Sequence, residues 1–200
     1  MPRIQADTVA EHHAQQRRAL LDAARALLAE TPEAPSMGAV GRRAGLARTS
    51  VYQYFPSADA LLAAVVNDVF PDWADRVTAK VAAAATPAAQ AWAYVEANVD
   101  LFASSEQAVA RALRRVVEPH VLQGPMEAFH ARLQVPLLQA LADFGEPEPR
   151  AMAEHIDLLI LHASRGLTGD SPSNQADLAQ VALARLRRLL GGYLRLDADD

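Results

Sequence analysis

The sequence predicts an all-α fold, and three observations carry that prediction. Apolar residues recur at helical spacing along almost the whole chain, and no stretch alternates as a half-buried strand would. Aromatic residues make up 6% and glycine only nine positions, whereas alanine, leucine, arginine and glutamate abound, which is a helix-forming composition. Prolines and small polar residues fall between the periodic segments, where helices begin and end.

Element by element, a first helix over 15–29 puts Leu20, Leu21, Ala24, Leu27 and Leu28 on one face, before the break Thr31-Pro32-Glu33-Ala34-Pro35. Two short helices follow. A longer one opens at Ser57, a suitable N-cap, carries Leu61, Leu62, Val65, Val66 and Val69, and is expected to stop at Pro71. Further helices are expected over 72–85, over 87–102 with Thr86 as cap and Pro87 at the first position, and over 105–118. The 124–144 segment contains Pro136, which removes a backbone donor and should kink or divide it. The last two helices, 148–166 and 174–190, are apolar over wide faces, and Gly191-Gly192 is expected to close the second. Ser104-Ser105-Glu106 and Ser171-Pro172-Ser173 read as caps and turns, and the acidic tail 197–200 as frayed.

At 200 residues and 51% hydrophobic content the chain can bury a sizeable core. It has no cysteine, which excludes disulfides, Cys-ligated zinc and a thiol nucleophile. No apolar run reaches the ~18 residues of a membrane span, and the first residues lack a secretory signal, so a soluble, cytoplasmic protein with no membrane partner is expected. The net charge of -5 is unevenly spread: residues 1–56 hold seven basic against five acidic side chains, or +2, leaving -7 for the remainder. A small basic end on a larger acidic body suits two tasks.

The stretch 36–55 reads Ser-Met-Gly-Ala-Val-Gly-Arg-Arg-Ala-Gly-Leu-Ala-Arg-Thr-Ser-Val-Tyr-Gln-Tyr-Phe. Two helices crossing steeply through a tight turn need a minimal residue at the crossing and one able to take positive φ in the turn, and Gly41 and Gly45 meet those needs. Val40, Ala44, Leu46 and Val51 then face inward. Arg48, Thr49, Ser50, Tyr52 and Gln53 face outward, with hydroxyls and a cation for phosphates, an amide for a base edge and no carboxylate to repel DNA. An ordinary αα-hairpin in a helical bundle would show the same pattern.

Over residues 17–69 the sequence resembles the TetR family of bacterial transcriptional regulators. The likeness rests on a helix ending Leu-Leu-Ala-Glu, the capped Ser-Met-Gly-Ala-Val-Gly-Arg-Arg-Ala-Gly-Leu, and Ser-Val-Tyr-Gln-Tyr-Phe-Pro-Ser-Ala-Asp-Ala-Leu-Leu in that order and spacing. It implies a positioning helix over 36–44 and a recognition helix over 47–54, with Arg48, Thr49, Ser50, Tyr52, Gln53 and Tyr54 facing DNA. Three positions depart from the family: Ala58 where lysine is common, Ala47 where serine or threonine usually caps, and Gly41 where alanine is usual. Arg17, Arg18, Ser36 and Arg42 complete the expected DNA-binding set, with Arg42, Arg43 or the Arg17-Arg18 pair expected to supply the missing phosphate cation.

In the body, Trp73, Trp92, Tyr94, Phe102, Met126 and Phe129 are candidates to line one apolar cavity, with His120 and His130 as polar contacts; each also reads as ordinary core or surface. The wide apolar stripes of the last two helices, through Met152, His155, Ile156, Leu159, Leu178, Val181, Leu186 and Leu189, suit a four-helix bundle with a second copy. His155 and His162 lie seven apart with Asp157 nearby, but no third and fourth donor converges, and no serine sits in a nucleophile elbow. No metal, cofactor or catalytic group is expected. The expected architecture is an amino-terminal helix-turn-helix DNA-binding domain over 1–56 and a helical ligand-binding and dimerisation domain over 57–200. The expected function is that of a homodimeric regulator, a repressor, on a near-palindromic double-stranded DNA operator, answering a small hydrophobic effector. A helical interaction protein without sequence-specific DNA binding, and a helical metal-dependent enzyme, are the alternatives.

Overall fold

A computed structural model describes residues 3–165, 167 and 172–196. Among these residues the chain is helical and contains no strand. The elements are α1 (Arg3–Glu30), α2 (Met37–Arg43), α3 (Arg48–Tyr54), α4 (Ala58–Ala82), α5 (Pro87–Ala103), α6 (Ser105–Val116), α7 (Pro119–Phe144), α8 (Pro149–Ser164) and α9 (Pro172–Leu194). Among the described residues no helix is long and apolar enough to cross a membrane. The expectations for Ser171 and for the tail at 197–200 fall outside the described residues.

Packing divides the chain into two compact units. One comprises residues up to Val69 together with Ala108–Pro125, the other Phe70–Gln107 together with Met126 onward. The functional division expected after residue 56 follows the motif rather than this packing.

The first unit is built around the apolar face of α1, where Leu20, Leu21, Ala24 and Leu28 are buried, as periodicity predicts. Val40 of α2, Val51 of α3 and Leu61, Leu62, Val65, Val66 and Val69 of α4 are buried too. Ser57 caps α4, its hydroxyl accepting from the Ala60 amide at 3.1 Å. α1 starts a dozen residues before its expected first turn; residues 9–15 are exposed, so no buried face marks the extension in the sequence.

In the second unit α5 is apolar nearly all round, with Ala91, Trp92, Ala93, Tyr94, Val95, Ala97 and Val99 buried, and it packs on both α8 and α9. Thr86 caps it by accepting from the Ala89 amide at 3.1 Å.

Three expected helix boundaries are corrected. Pro71 lies inside α4 instead of ending it, because the apolar stripe continues without interruption through Phe70, Trp73, Ala74, Val77 and Val81, all buried. Pro136 does not divide α7, which runs from Pro119; Leu133, Leu137, Ala140 and Leu141 bury the face on both sides of it. Gly191-Gly192 does not close α9, which continues to Leu194, a fully buried side chain. The helix ends instead at Arg195, with φ 55, and the Leu196 amide donates back to the Gly191 carbonyl at 3.0 Å.

Candidate nucleic-acid interface

Ser36 accepts from the Ala39 amide at 3.2 Å and so starts α2. The turn that follows needs its glycines. Gly45 has φ +73, and the Leu46 amide donates to the Gly41 carbonyl at 2.8 Å, closing the turn onto the helix it leaves. A Cβ on Gly41 would lie 2.9 Å from the Leu46 carbonyl oxygen and 3.0 Å from Val51 Cγ2, so α2 and α3 touch where the sequence places the minimal residue. Val40 and Val51 are fully buried, whereas Ala44 and Leu46 are only half-buried. Ala47 supplies no side-chain cap to α3, as its departure from the family pattern implies.

The outer face of α3 carries Arg48, Thr49, Tyr52 and Gln53, all exposed, with Ser50 half-buried. Arg48 Nη2 donates to Tyr52 Oη at 3.4 Å, and its guanidinium carbon lies 5.9 Å from the Tyr52 ring centroid. The hydrogen bond to Tyr52 moves the Arg48 pKa still higher, and the charge there is permanent. Residues 36–55 contain no carboxylate, so nothing on this hairpin opposes a phosphate backbone.

The other candidates divide by what they touch. Arg42 is exposed and has no ion-pair partner among the described residues. Arg17 lies over the Phe55 ring at 5.5 Å. Arg18 is engaged within the protein: it pairs with Asp22 at 2.8 Å and Asp68 at 2.7 Å, tying α1 to α4. Tyr54 is half-buried rather than displayed, its hydroxyl donating to Gln16 Oε1 and its ring 4.5 Å from that of His13. Gln16 and His13 carried no signal in the sequence, because residues on a polar helix face reveal a distant partner only once both helices are placed.

The expected aromatic cavity does not assemble as one site. Phe129 meets Trp73 and Phe70, at ring distances of 6.2 and 5.4 Å, and His130 sits exposed beside it at 5.4 Å. Trp92 is directed elsewhere: its Nε1 donates to Glu96 at 2.9 Å and Arg187 of α9 covers its ring at 5.7 Å. Tyr94 donates to Asp157 of α8 at 2.8 Å, and Gln134 of α7 donates to the other carboxylate oxygen at 3.3 Å. Residues two apart on a helix point about 200° apart, so Trp92 and Tyr94 cannot line one wall. Phe102 and Met126 are half-buried, and His120 is exposed in the first compact unit.

On the last two helices the expected partner-facing set is also redrawn. Ile156 and Leu186 are at 0% and 2% exposure inside the unit's own core, so they are spent within one copy. Met152, Leu159 and Leu178 are half-buried, and His155, Val181 and Leu189 are exposed. The outward apolar groups missed are Leu158, at 62% exposure, and Leu161; Leu189 reaches 64%. Apolar width alone did not reveal which edge of the stripe the chain's own core consumes.

Residues 20–65 match the family described as bacterial regulatory proteins, tetR family. No curated protein matches the chain. Among solved structures the chain is similar to NemR of E. coli in its reduced form, with a TM-score of 0.64 at 17% identity over 86% of this chain and 96% of that one. It is similar to AibR, solved with isovaleryl coenzyme A and operator DNA, with a TM-score of 0.61 at 16% identity over 85% and 97%. It is also similar to the TetR transcriptional regulator SCO0520 from Streptomyces coelicolor, with a TM-score of 0.59 at 22% identity over 87% and 97%. At these identities the likeness establishes the helical fold.

Proposed function

We propose, from the match of residues 20–65 to the bacterial regulatory proteins of the tetR family, that the chain is a DNA-binding transcriptional regulator, a repressor that reads a near-palindromic operator as a homodimer. The observation that carries the reading is the outer face of α3, where Arg48, Thr49, Tyr52 and Gln53 stand exposed on a hairpin free of carboxylates. Tyr52 and Arg48 suit phosphate contact, and the Gln53 amide matches the donor and acceptor pair of adenine in the major groove. Arg42 and Arg17 add positive charge from α2 and α1, and the Ser36 hydroxyl remains able to donate while it caps α2.

Residues 1–56 are assigned to DNA reading and 57–200 to effector binding and dimerisation. A second copy would cover the exposed Leu158, Leu161, Val181 and Leu189 in a four-helix contact, and two-fold symmetry would then present two α3 helices to two half-sites. AibR, which was solved with both an acyl coenzyme A and its operator, supports an effector-responsive reading by likeness of fold. An effector that favours one arrangement of the recognition helices lowers operator affinity, and the operator lowers effector affinity by the same factor.

Selection from a random duplex library at stated salt tests this function. The native protein should enrich a two-fold symmetric site, and a Tyr52→Ala, Gln53→Ala variant should enrich none. A folded native protein that enriches nothing would leave the hairpin as scaffold and favour an interaction protein.

A further inference from the structure

Helix α3 has little hold of its own. Of its seven residues Val51 is buried, Ser50 and Tyr54 are half-buried, and the other four are exposed. Ala47 gives it no side-chain cap. A helix of two turns is not stable through its backbone alone, so contacts with neighbouring elements decide where it points. Val51 meets α2 beside Gly41, which leaves the carboxyl end of α3 to be held from elsewhere.

That end is held by α1, within the same compact unit. His13, Gln16 and Arg17 share one face of α1, at i, i+3 and i+4, and this face meets the last residue of α3 and the residue that follows it. Tyr54 Oη donates to Gln16 Oε1, the Tyr54 ring lies 4.5 Å from that of His13, and Arg17 lies over the Phe55 ring at 5.5 Å. Gln16 Nε2 can only donate, and it lies 2.8 Å from His12 Nε2, so the amide is turned with its oxygen toward the phenol. His12 and His13 belong to the exposed stretch of α1 that buries nothing in the core. A phenol carries one hydroxyl proton and phosphate oxygens accept, so with that proton given to Gln16, Tyr54 has none to offer a DNA backbone.

We infer that Gln16 and His13 are positioning residues for base reading. They hold the carboxyl end of α3 through Tyr54, so that Arg48, Thr49, Tyr52 and Gln53 meet the groove at a fixed angle, and Tyr54 itself touches no phosphate. The inference rests on the proposed reading of DNA by α3; the hold on Tyr54 exists without DNA.

The first arm of the test uses the full chain without DNA and follows amide hydrogen exchange in α3. Gln16→Ala and Tyr54→Phe should each speed exchange there about two- to tenfold, as loss of one hydrogen bond predicts, and the double variant no more than either. His13→Ala, which removes the ring beside Tyr54, should act in the same direction, whereas Gln16→Glu, which keeps an acceptor for the phenol, should retain native protection. The second arm titrates the selected operator and a scrambled duplex of equal length. Gln16→Ala and Tyr54→Phe should lose operator affinity by similar factors and bind the scrambled duplex as the native protein does, because base contacts are misaligned while the phosphate-facing charge is intact. Unchanged exchange in α3, an equal loss on both duplexes, or a loss in Tyr54→Phe with full affinity in Gln16→Ala would each overturn the assignment. A native protein that selects no operator ends the proposed function and with it the role in base reading, whereas the exchange arm judges the hold on Tyr54 by itself.

Discussion

A methyl group on Gly41 would press on the Leu46 carbonyl and on Val51, at 2.9 and 3.0 Å, so the angle between α2 and α3 depends on a single missing carbon. Overpacking of this kind costs about 1–3 kcal/mol. Gly41→Ala should therefore lower the thermal midpoint and shift α3 enough to weaken operator binding; unchanged values of both would show that the turn can relax. Gly45→Ala meets no neighbour but must hold φ +73, and should cost about 1–2 kcal/mol in stability. Residues that govern pH response lie elsewhere. Burial first, then the Asp157 carboxylate, raises the Tyr94 pKa, and burial with the Glu146 hydrogen bond raises that of Tyr193. Both phenols thus keep a proton in the folded chain that the unfolded chain gives up near pH ~10. Their stabilisation is complete below that pH, begins to be lost as the unfolded phenols ionise, and goes on falling until the pH passes the raised values of the folded chain. Melting curves should show the midpoint falling between about pH 9 and 11, and a Tyr94→Phe, Tyr193→Phe variant should show a shallower fall.

At the scale of elements, α4 decides what can be read from the sequence. An interior proline costs a helix about 3 kcal/mol, and by that local rule Pro71 should end it. Burying a large apolar side chain gains about 1.5–3 kcal/mol, and Phe70, Trp73 and Val77 are all buried along the same face, so the packing outweighs the break. Pro71 is itself exposed, and Pro71→Ala should restore a backbone donor and raise stability by about 1–3 kcal/mol in chemical unfolding. The same imbalance explains Gly191-Gly192, where about 1 kcal/mol per glycine is outweighed by the buried Leu194 and by Tyr193 donating to Glu146 at 2.5 Å. Local signals were legible where local physics decides: the caps at Ser36, Ser57 and Thr86, the glycines at 41 and 45, and the inward faces of α1 and of the first half of α4. The outer face of α3 was legible for the same reason. The pairing of Lys80 of α4 with Asp100 of α5 was not, because it depends on how the two helices pack. Nor was the divergence of Trp92 from Trp73, which depends on which neighbour each side of α5 meets.

For the whole molecule, the proposed dimer is the arrangement in which the exposed leucines of α8 and α9 become useful. Leu158 and Leu189 are more than half exposed, which is costly for a free surface and ordinary for a contact. Leu158→Glu with Leu189→Glu should sediment as a monomer with native helix content and lose most of its operator affinity, since one recognition helix reads only half of a palindrome. The proposed function requires that α3 reads bases. It is tested most directly by titrating the native protein and Gln53→Ala against the selected duplex and against duplexes changed at one base pair at a time. Gln53→Ala should lose about 1–3 kcal/mol on the selected duplex and become indifferent to substitution at one symmetry-related pair of positions, with discrimination elsewhere intact. A uniform loss at every position, or no loss at all, would contradict it.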